Sequence, residues 1–336
     1  MQNRRMRTFA EPAARRDSGR PPTLLALRAL KLGDLLVAVP ALKALKRAHP
    51  GHELVYAGPA WLAPVLELIP AVDAHLPTPG LDDLLPLSPG KVDVAANLHG
   101  NGLESRRIIS ALQPRRRIVH GAPADPTAGL EADAGPGWQD GVLERHRWAR
   151  LVNAFGATAD PDDVGILVPA APPPVLGAAV VHVGAFYGSR QWPVERFVAV
   201  AKALTADGLR VVVTGDGGRD LPRARAVAAA AGLDATAVLA GSLDLTGFAA
   251  TIAAAAVVVT ADTGAAHLAS AYGTPSVVIF GPAPPEEWGP PPGPHVVLTD
   301  ARLRRGDAFA SEPDPALLAV GADQALGAAR RVLRSC

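Results

Sequence analysis

The chain has 336 residues, enough for two hydrophobic cores. Its 33 basic and 32 acidic side chains nearly cancel, which leaves no overall charge for holding nucleic acid. Apolar residues make up 49%, mostly Ala, Leu and Val, a composition that excludes global disorder and suits a buried α/β core. The single cysteine, Cys336, excludes an internal disulfide and a cysteine-based zinc site.

Residues 1–22 carry Arg4, Arg5, Arg7, Arg15, Arg16 and Arg20 without an apolar stretch. They do not form a signal peptide and read as a disordered basic arm. A solvated tail is the simpler reading of that arm; contact with an anionic membrane surface is the other. No apolar run approaches the ~18 residues of a spanning helix. The expectation is a cytoplasmic protein, at most peripheral at the inner face of the plasma membrane.

Strand-like and helix-like patterns then alternate, as in parallel βαβ units. Strands are predicted at 23–30, 53–58, 92–98, 116–120 and 165–168, with helices over 34–48, 61–68, 103–112 and 143–155. Pro40 falls inside the first helix and is expected to end one short turn and start another. Residues 169–175 hold Pro169, Pro172, Pro173 and Pro174 and read as a stiff linker. The alternation restarts with strands at 178–184, 209–215, 237–240, 256–260, 276–280 and 295–299. Helices fit 194–206, 219–231, 245–255, 265–272 and 315–333. The expected fold class is therefore α/β: two Rossmann-like, doubly wound domains, 23–168 and 176–336, facing a central cleft.

The segment AVVVTADTGAAHLASAYGTPSVVIFG, residues 256–281, is the most informative. It reads strand, loop, helix, turn, strand. Thr263, Gly264 and Ala265 fall at a helix N-terminus just past a buried strand, where unpaired N–H groups and the helix dipole favour an anion. Asp262 and His267 flank that point. A capped loop with a core histidine is the plainer alternative. Gly184 to Pro193 (GAFYGSRQWP) follows the first strand of the second half. Ser189 and Arg190 in it are donor-side candidates, the guanidinium being suited to a diphosphate; the alternative is a surface arginine beside a packed Trp192.

In the first half, Lys31-Leu32-Gly33-Asp34 follows the first strand. Gly33 is read as allowing a tight turn and is an acceptor-side candidate. Asp34 admits two readings: a helix cap worth about 1 kcal/mol, or a cleft-facing general base worth ~10²–10⁴-fold in rate. Asn97 and His99 in NLHGNG end another strand and are acceptor-side candidates, with a plain polar loop as the alternative. Asp216 to Asp220 (DGGRD) could meet a ribose or base, and Trp288 could pack on a base or simply within its loop. The chain lacks G-x-G-x-x-G, a Walker loop and G-x-S-x-G. Its only Asp-x-Asp, Asp160 to Asp162, does not follow a buried strand. These absences count against dehydrogenase, NTPase, serine hydrolase and metal-dependent transferase chemistry.

Taken together, four ordered motifs resemble glycosyltransferase family 9, the heptosyltransferase-like family, from about Leu24 to Pro290. They are LRALKLGDLLVAVPAL, DVAANLHGN, RQWPVERF and DTGAAHLASAYGTPSVVIFGP. The resemblance implies a GT-B fold whose last helix packs back on the first domain. It implies inverting, metal-independent transfer from a nucleotide-diphosphate sugar, ADP-heptose among them, to a cell-envelope glycan or glycolipid, with no other cofactor. Asp34 would be the base. Arg190 would stand where the family often has lysine, and Asp262, Thr263, Gly264 and His267 would bind the donor. Two departures stand out. ADP-heptose-using members commonly carry a glutamate near the ribose, where this chain has DGGRD, and residues 291–336 lack a family signature. A GT-B nucleotide-sugar epimerase and a non-catalytic sugar-nucleotide- or glycan-binding module are the alternative functions.

Overall fold

A computed structural model describes residues 5–11 and 21–335. It divides into two compact units, the first running to Leu167 and the second from Val168.

The first unit holds strands β1 (Arg7–Thr8), β2 (Thr23–Leu27), β3 (Glu53–Gly58), β4 (Ala74–Pro77), β5 (Val94–Asn97) and β6 (Arg116–Ile118). Its helices are α1 (Leu32–Ala48), α2 (Ala63–Leu66), α3 (Leu103–Ala111) and α4 (Glu144–Asn153). The strands form one parallel sheet in the order β1-β4-β3-β2-β5-β6. β2 lies in the interior and is buried along its whole length, as its unbroken apolar run requires. From β2 the chain winds out through β3 and β4, then returns to lay β5 on the other side. The order therefore reverses between β2 and β5. In doubly wound sheets, ligands bind beyond the strand ends at such a reversal.

Helix α1 runs unbroken through Pro40, against the expected interruption. Its buried face spans Leu35, Leu36, Leu42 and Leu45, and each buried leucine contributes ~1.5–3 kcal/mol. That packing outweighs the one backbone bond that proline removes. The helix begins at Leu32, so Gly33 lies inside its first turn and not in the preceding loop. Part of the expected disordered arm is also ordered: Arg7–Thr8 pair in parallel with Ala74–His75, and Phe9 is buried in the first core. Arg4, Arg15, Arg16 and Arg20 lie outside the described residues.

The second unit holds β7 (Ala179–His182), β8 (Val211–Thr214), β9 (Val257–Ala261), β10 (Ser276–Ile279) and β11 (His295–Leu298). Its helices are α5 (Val194–Ala206), α6 (Leu221–Ala231), α7 (Leu245–Ala253), α8 (Gly264–Tyr272), α9 (Pro285–Trp288), α10 (Pro315–Leu318) and α11 (Ala322–Arg334). The parallel order is β11-β10-β9-β7-β8, and here the reversal lies between β7 and β9. The expected strand at 237–240 is reduced to a bridge between Val213 and Val238. The expected strand at 165–168 and the proline segment after it have no regular structure. The last helix buries Ala325, Ala328, Ala329 and Val332 in the core of the second unit.

Candidate functional site

In the first unit, the chain leaves β2 at Leu27 and enters α1 within a few residues, which places Asp34 beyond the β2 end of the reversal. Asp34 is the third helical residue, not the N-cap, which is Lys31. Its Oδ2 accepts the Lys31 N–H at 3.2 Å, and its side chain keeps 21% exposure. His99 follows β5 on the other side of the reversal. The Ala29 N–H donates to its Nδ1 at 3.2 Å and joins the two loops. Burial, with the nearby Arg28 charge second, pulls the His99 pKa down to about 4. The ring is thus neutral at pH 7, and because Nδ1 accepts, its proton sits on Nε2. Asn97 is directed elsewhere: it is 1% exposed, donates to Ser105 Oγ at 3.1 Å and accepts the His99 N–H at 3.2 Å. It shapes the loop.

In the second unit, Arg190 follows β7 and Asp262 follows β9, so this pair spans the reversal. Arg190 Nη1 donates to the Asp262 carbonyl at 3.2 Å and lies 3.1 Å from Asp262 Oδ2. The latter contact lacks hydrogen-bond alignment and acts through charge alone. Arg190 Nε is buried with no hydrogen-bond partner among the described residues. Asp262 is 3% exposed, and its Oδ1 lies 3.7 Å from His267 Nε2, beyond a hydrogen bond. Asp262 therefore anchors Arg190 from inside and is not itself a surface for the ligand.

Thr263 caps α8, its Oγ1 accepting the Ala265 N–H at a long 3.4 Å. Ala266 N–H donates to the Thr263 carbonyl at 3.0 Å, which leaves the Gly264 N–H of the first turn, and the dipole adds partial positive charge there. Arg190 and the Gly264 end of α8 thus offer donors and positive charge around one point, the arrangement a phosphate needs. Ser189, expected on the donor side, is 1% exposed and donates its hydroxyl to the Ala308 carbonyl at 2.8 Å. It fixes the loop instead.

Asp220, in the loop expected near a ribose, also turns inward. It is 5% exposed and accepts the Asp216 N–H at 2.9 Å, and burial raises its pKa. Trp288 packs its ring 6.2 Å from that of His267, against the small cluster around Val278 and Phe280. A cavity of about 620 Å³ lies elsewhere, beside α6, between Leu221, Arg225 and Ala228 and the 235–242 segment. Among the described residues no three His, Cys, Asp or Glu side chains gather as a metal cage. No described helix is long and apolar enough to cross a membrane.

Two groups that sequence reasoning passed over complete the first-unit site. Arg28, at the exit of β2, is 1% exposed and contacts Asp34 at 3.1 Å; Glu144, at the start of α4, shares it at 3.4 Å. The one sequence signal for Arg28 is a lone charge in the apolar run TLLALRAL. Glu144 has none, because 116 residues separate the partners.

Residues 167–302, which carry the Arg190 and Asp262 segments, match glycosyltransferase family 9 (heptosyltransferase). The chain is 26% identical over 297 residues to lipopolysaccharide heptosyltransferase 2 of Salmonella typhimurium, covering 76% of this chain and 81% of that protein. Its fold is similar to the family 9 glycosyl transferase of Veillonella parvula, with a TM-score of 0.74 at 18% identity over 94% of this chain and 98% of the other. It is also similar to the Escherichia coli ADP-heptose lipopolysaccharide heptosyltransferase II, with a TM-score of 0.71 at 19% identity over 93% and 99%. With a GT-B class of fold and a family match over residues 167–302, the chain is similar to the heptosyltransferase-like glycosyltransferases of family 9.

Proposed function

We infer that this glycosyltransferase moves a heptose or closely related sugar from a nucleotide-diphosphate sugar such as ADP-heptose to a hydroxyl of a lipopolysaccharide-like glycan or lipid-linked acceptor. The observation that carries the reading is Arg190, held by Asp262 against the N-terminus of α8 within the family-matched segment. The second unit binds the donor diphosphate there. The first unit receives the acceptor, with Asp34 as the base and the His99 Nε2–H as a donor to an acceptor oxygen. Because nucleotide sugars are made inside the cell, this reading puts the reaction on the cytoplasmic side, with an acceptor presented at the inner membrane surface.

In the transfer, the acceptor oxygen attacks the anomeric carbon as Asp34 takes its proton. The bond to the diphosphate breaks, and its electron pair leaves with the nucleotide. One displacement from the face opposite the leaving group inverts the centre. Arg190 and the Gly264 N–H of α8 stabilise the charge that develops on the phosphate; preorganised donors of this kind contribute ~3–4 kcal/mol each. With these groups neutralising the leaving group, the reading requires no metal.

The test is transfer from ADP-heptose to truncated lipopolysaccharide from bacteria lacking heptosyltransferase 2. Asp34→Asn is expected to lower turnover by ~10²–10⁴-fold while leaving ADP affinity unchanged. Turnover close to that of the unaltered protein would remove Asp34 as the base. Conversion of the donor without an acceptor would favour epimerase chemistry.

A further inference from the structure

Asp34 is held from behind by a single buried cation. Arg28 Nε donates to the Asp34 carbonyl at 2.6 Å, and Nη2 donates to Asp34 Oδ1 at 3.1 Å and to Glu144 Oε2 at 3.4 Å. Nη1 donates to the Leu98 carbonyl at the end of β5. The Trp148 ring covers the guanidinium, its centroid 4.7 Å from Cζ. The Arg28 backbone is fixed too: its N–H donates to the Ala57 carbonyl at 3.0 Å, and its carbonyl accepts the Tyr56 hydroxyl at 2.7 Å. One residue, through its backbone and side chain, thus ties together the ends of β2, β3 and β5 and the starts of α1 and α4. Since Lys31 N–H takes the other Asp34 oxygen, both carboxylate oxygens are oriented before any substrate arrives.

Glu144 has its own supports. It accepts from Arg147 Nε at 2.7 Å and from Trp148 Nε1 at 3.0 Å. A buried guanidinium facing Asp34 alone would lose its only counter-ion whenever Asp34 took up a proton, and an uncompensated buried charge is strongly unfavourable. The second carboxylate removes that problem. Arg28 is 1% exposed while Asp34 is 21% exposed, so Arg28 acts through Asp34 and does not reach a substrate.

Resting on the reading of Asp34 as the base, we propose that Arg28 is a positioning residue that aims the Asp34 carboxylate at the acceptor hydroxyl. Glu144 is the counter-ion that keeps Arg28 in place while Asp34 takes up its proton and passes it to solvent.

The test is the same assay of ADP release from ADP-heptose and truncated lipopolysaccharide, run on the full chain with Arg28→Lys, Glu144→Gln and the double variant. Lysine keeps a cation between the carboxylates but has one nitrogen, so it cannot reproduce the fork to Asp34, Glu144 and Leu98. For Arg28→Lys the expected result is a near-normal melting temperature and an unchanged KM for ADP-heptose, with kcat about 10²-fold lower, the scale of a reacting group misplaced by an ångström. Glu144→Gln should lower kcat less. The double variant should fall short of the product of the two losses, because both act on one carboxylate. A normal kcat per folded molecule in Arg28→Lys, or a loss confined to KM for ADP-heptose, overturns the proposal. Two other outcomes, no turnover by the unaltered protein or full turnover by Asp34→Asn, overturn the base assignment on which it rests.

Discussion

Arg190 has a buried anchor and an unpaired donor on the same side chain. Asp262 holds Nη1 from inside, while Nε has no partner among the described residues. Losing a charged donor to a phosphate costs roughly 1.5–3 kcal/mol, so Arg190→Ala should weaken ADP about 10- to 100-fold. Isothermal titration checks this, and an unchanged affinity would take the phosphate role away from Arg190. The local sequence pointed to Asp34 and Arg190 because each follows a strand end directly. It did not show that Ser189 and Asn97 are buried and turned inward. The Ser189 partner is the carbonyl of residue 308, and the Asn97 amide turns back onto Ser105 in its own loop. Which way a side chain faces at a strand end depends on neighbours that the local pattern does not contain.

At the level of elements, α8 shows the strongest agreement between sequence and structure. Its N-cap is Thr263 and its C-cap is Gly273 at φ +64°, the left-handed conformation that only glycine adopts without strain. Gly273→Ala should therefore lower stability by about 1 kcal/mol, read by urea unfolding, while ADP affinity stays unchanged because the substitution is at the far end of the helix. A loss of ADP affinity would instead mean that the strain reaches the cap at Thr263. Most strands were legible because buried parallel strands are continuous apolar runs. β4 was not, since AHLP carries a histidine and a proline and is too short to show a period. There His75 bonds the Gly58 carbonyl at 2.9 Å, a partner from the neighbouring strand. The unbroken α1 was also illegible: local propensity breaks a helix at proline, and only the buried leucines on either side hold this one together.

Across the molecule, burial depresses seven of the nine histidines. His99 and His182 fall to about 4 from an ordinary value of 6.5. Between those values the unfolded chain binds more protons than the folded one, so stability rises with pH across that window and is lost as pH falls from 6.5 towards 4. The first thermal transition should drop by several degrees between pH 7 and pH 5. A transition that stays flat or rises on acidification would contradict the buried, neutral state of these rings. His99 and His182 belong to different units, so both units should weaken together.

The shortest strand has a practical corollary. β1 pairs along the outer side of β4, secured by Phe9 N–H to the His75 carbonyl at 2.7 Å and by an ion pair between Arg7 and Glu53. It is the last strand on that side of the sheet, so it shields backbone amides and carbonyls that would otherwise recruit another chain. Trimming the chain to begin at Pro21 would look harmless by composition, yet it would strip that guard and leave β4 as a template for self-association. A preparation meant to avoid pairing along this edge should retain residues 5–11.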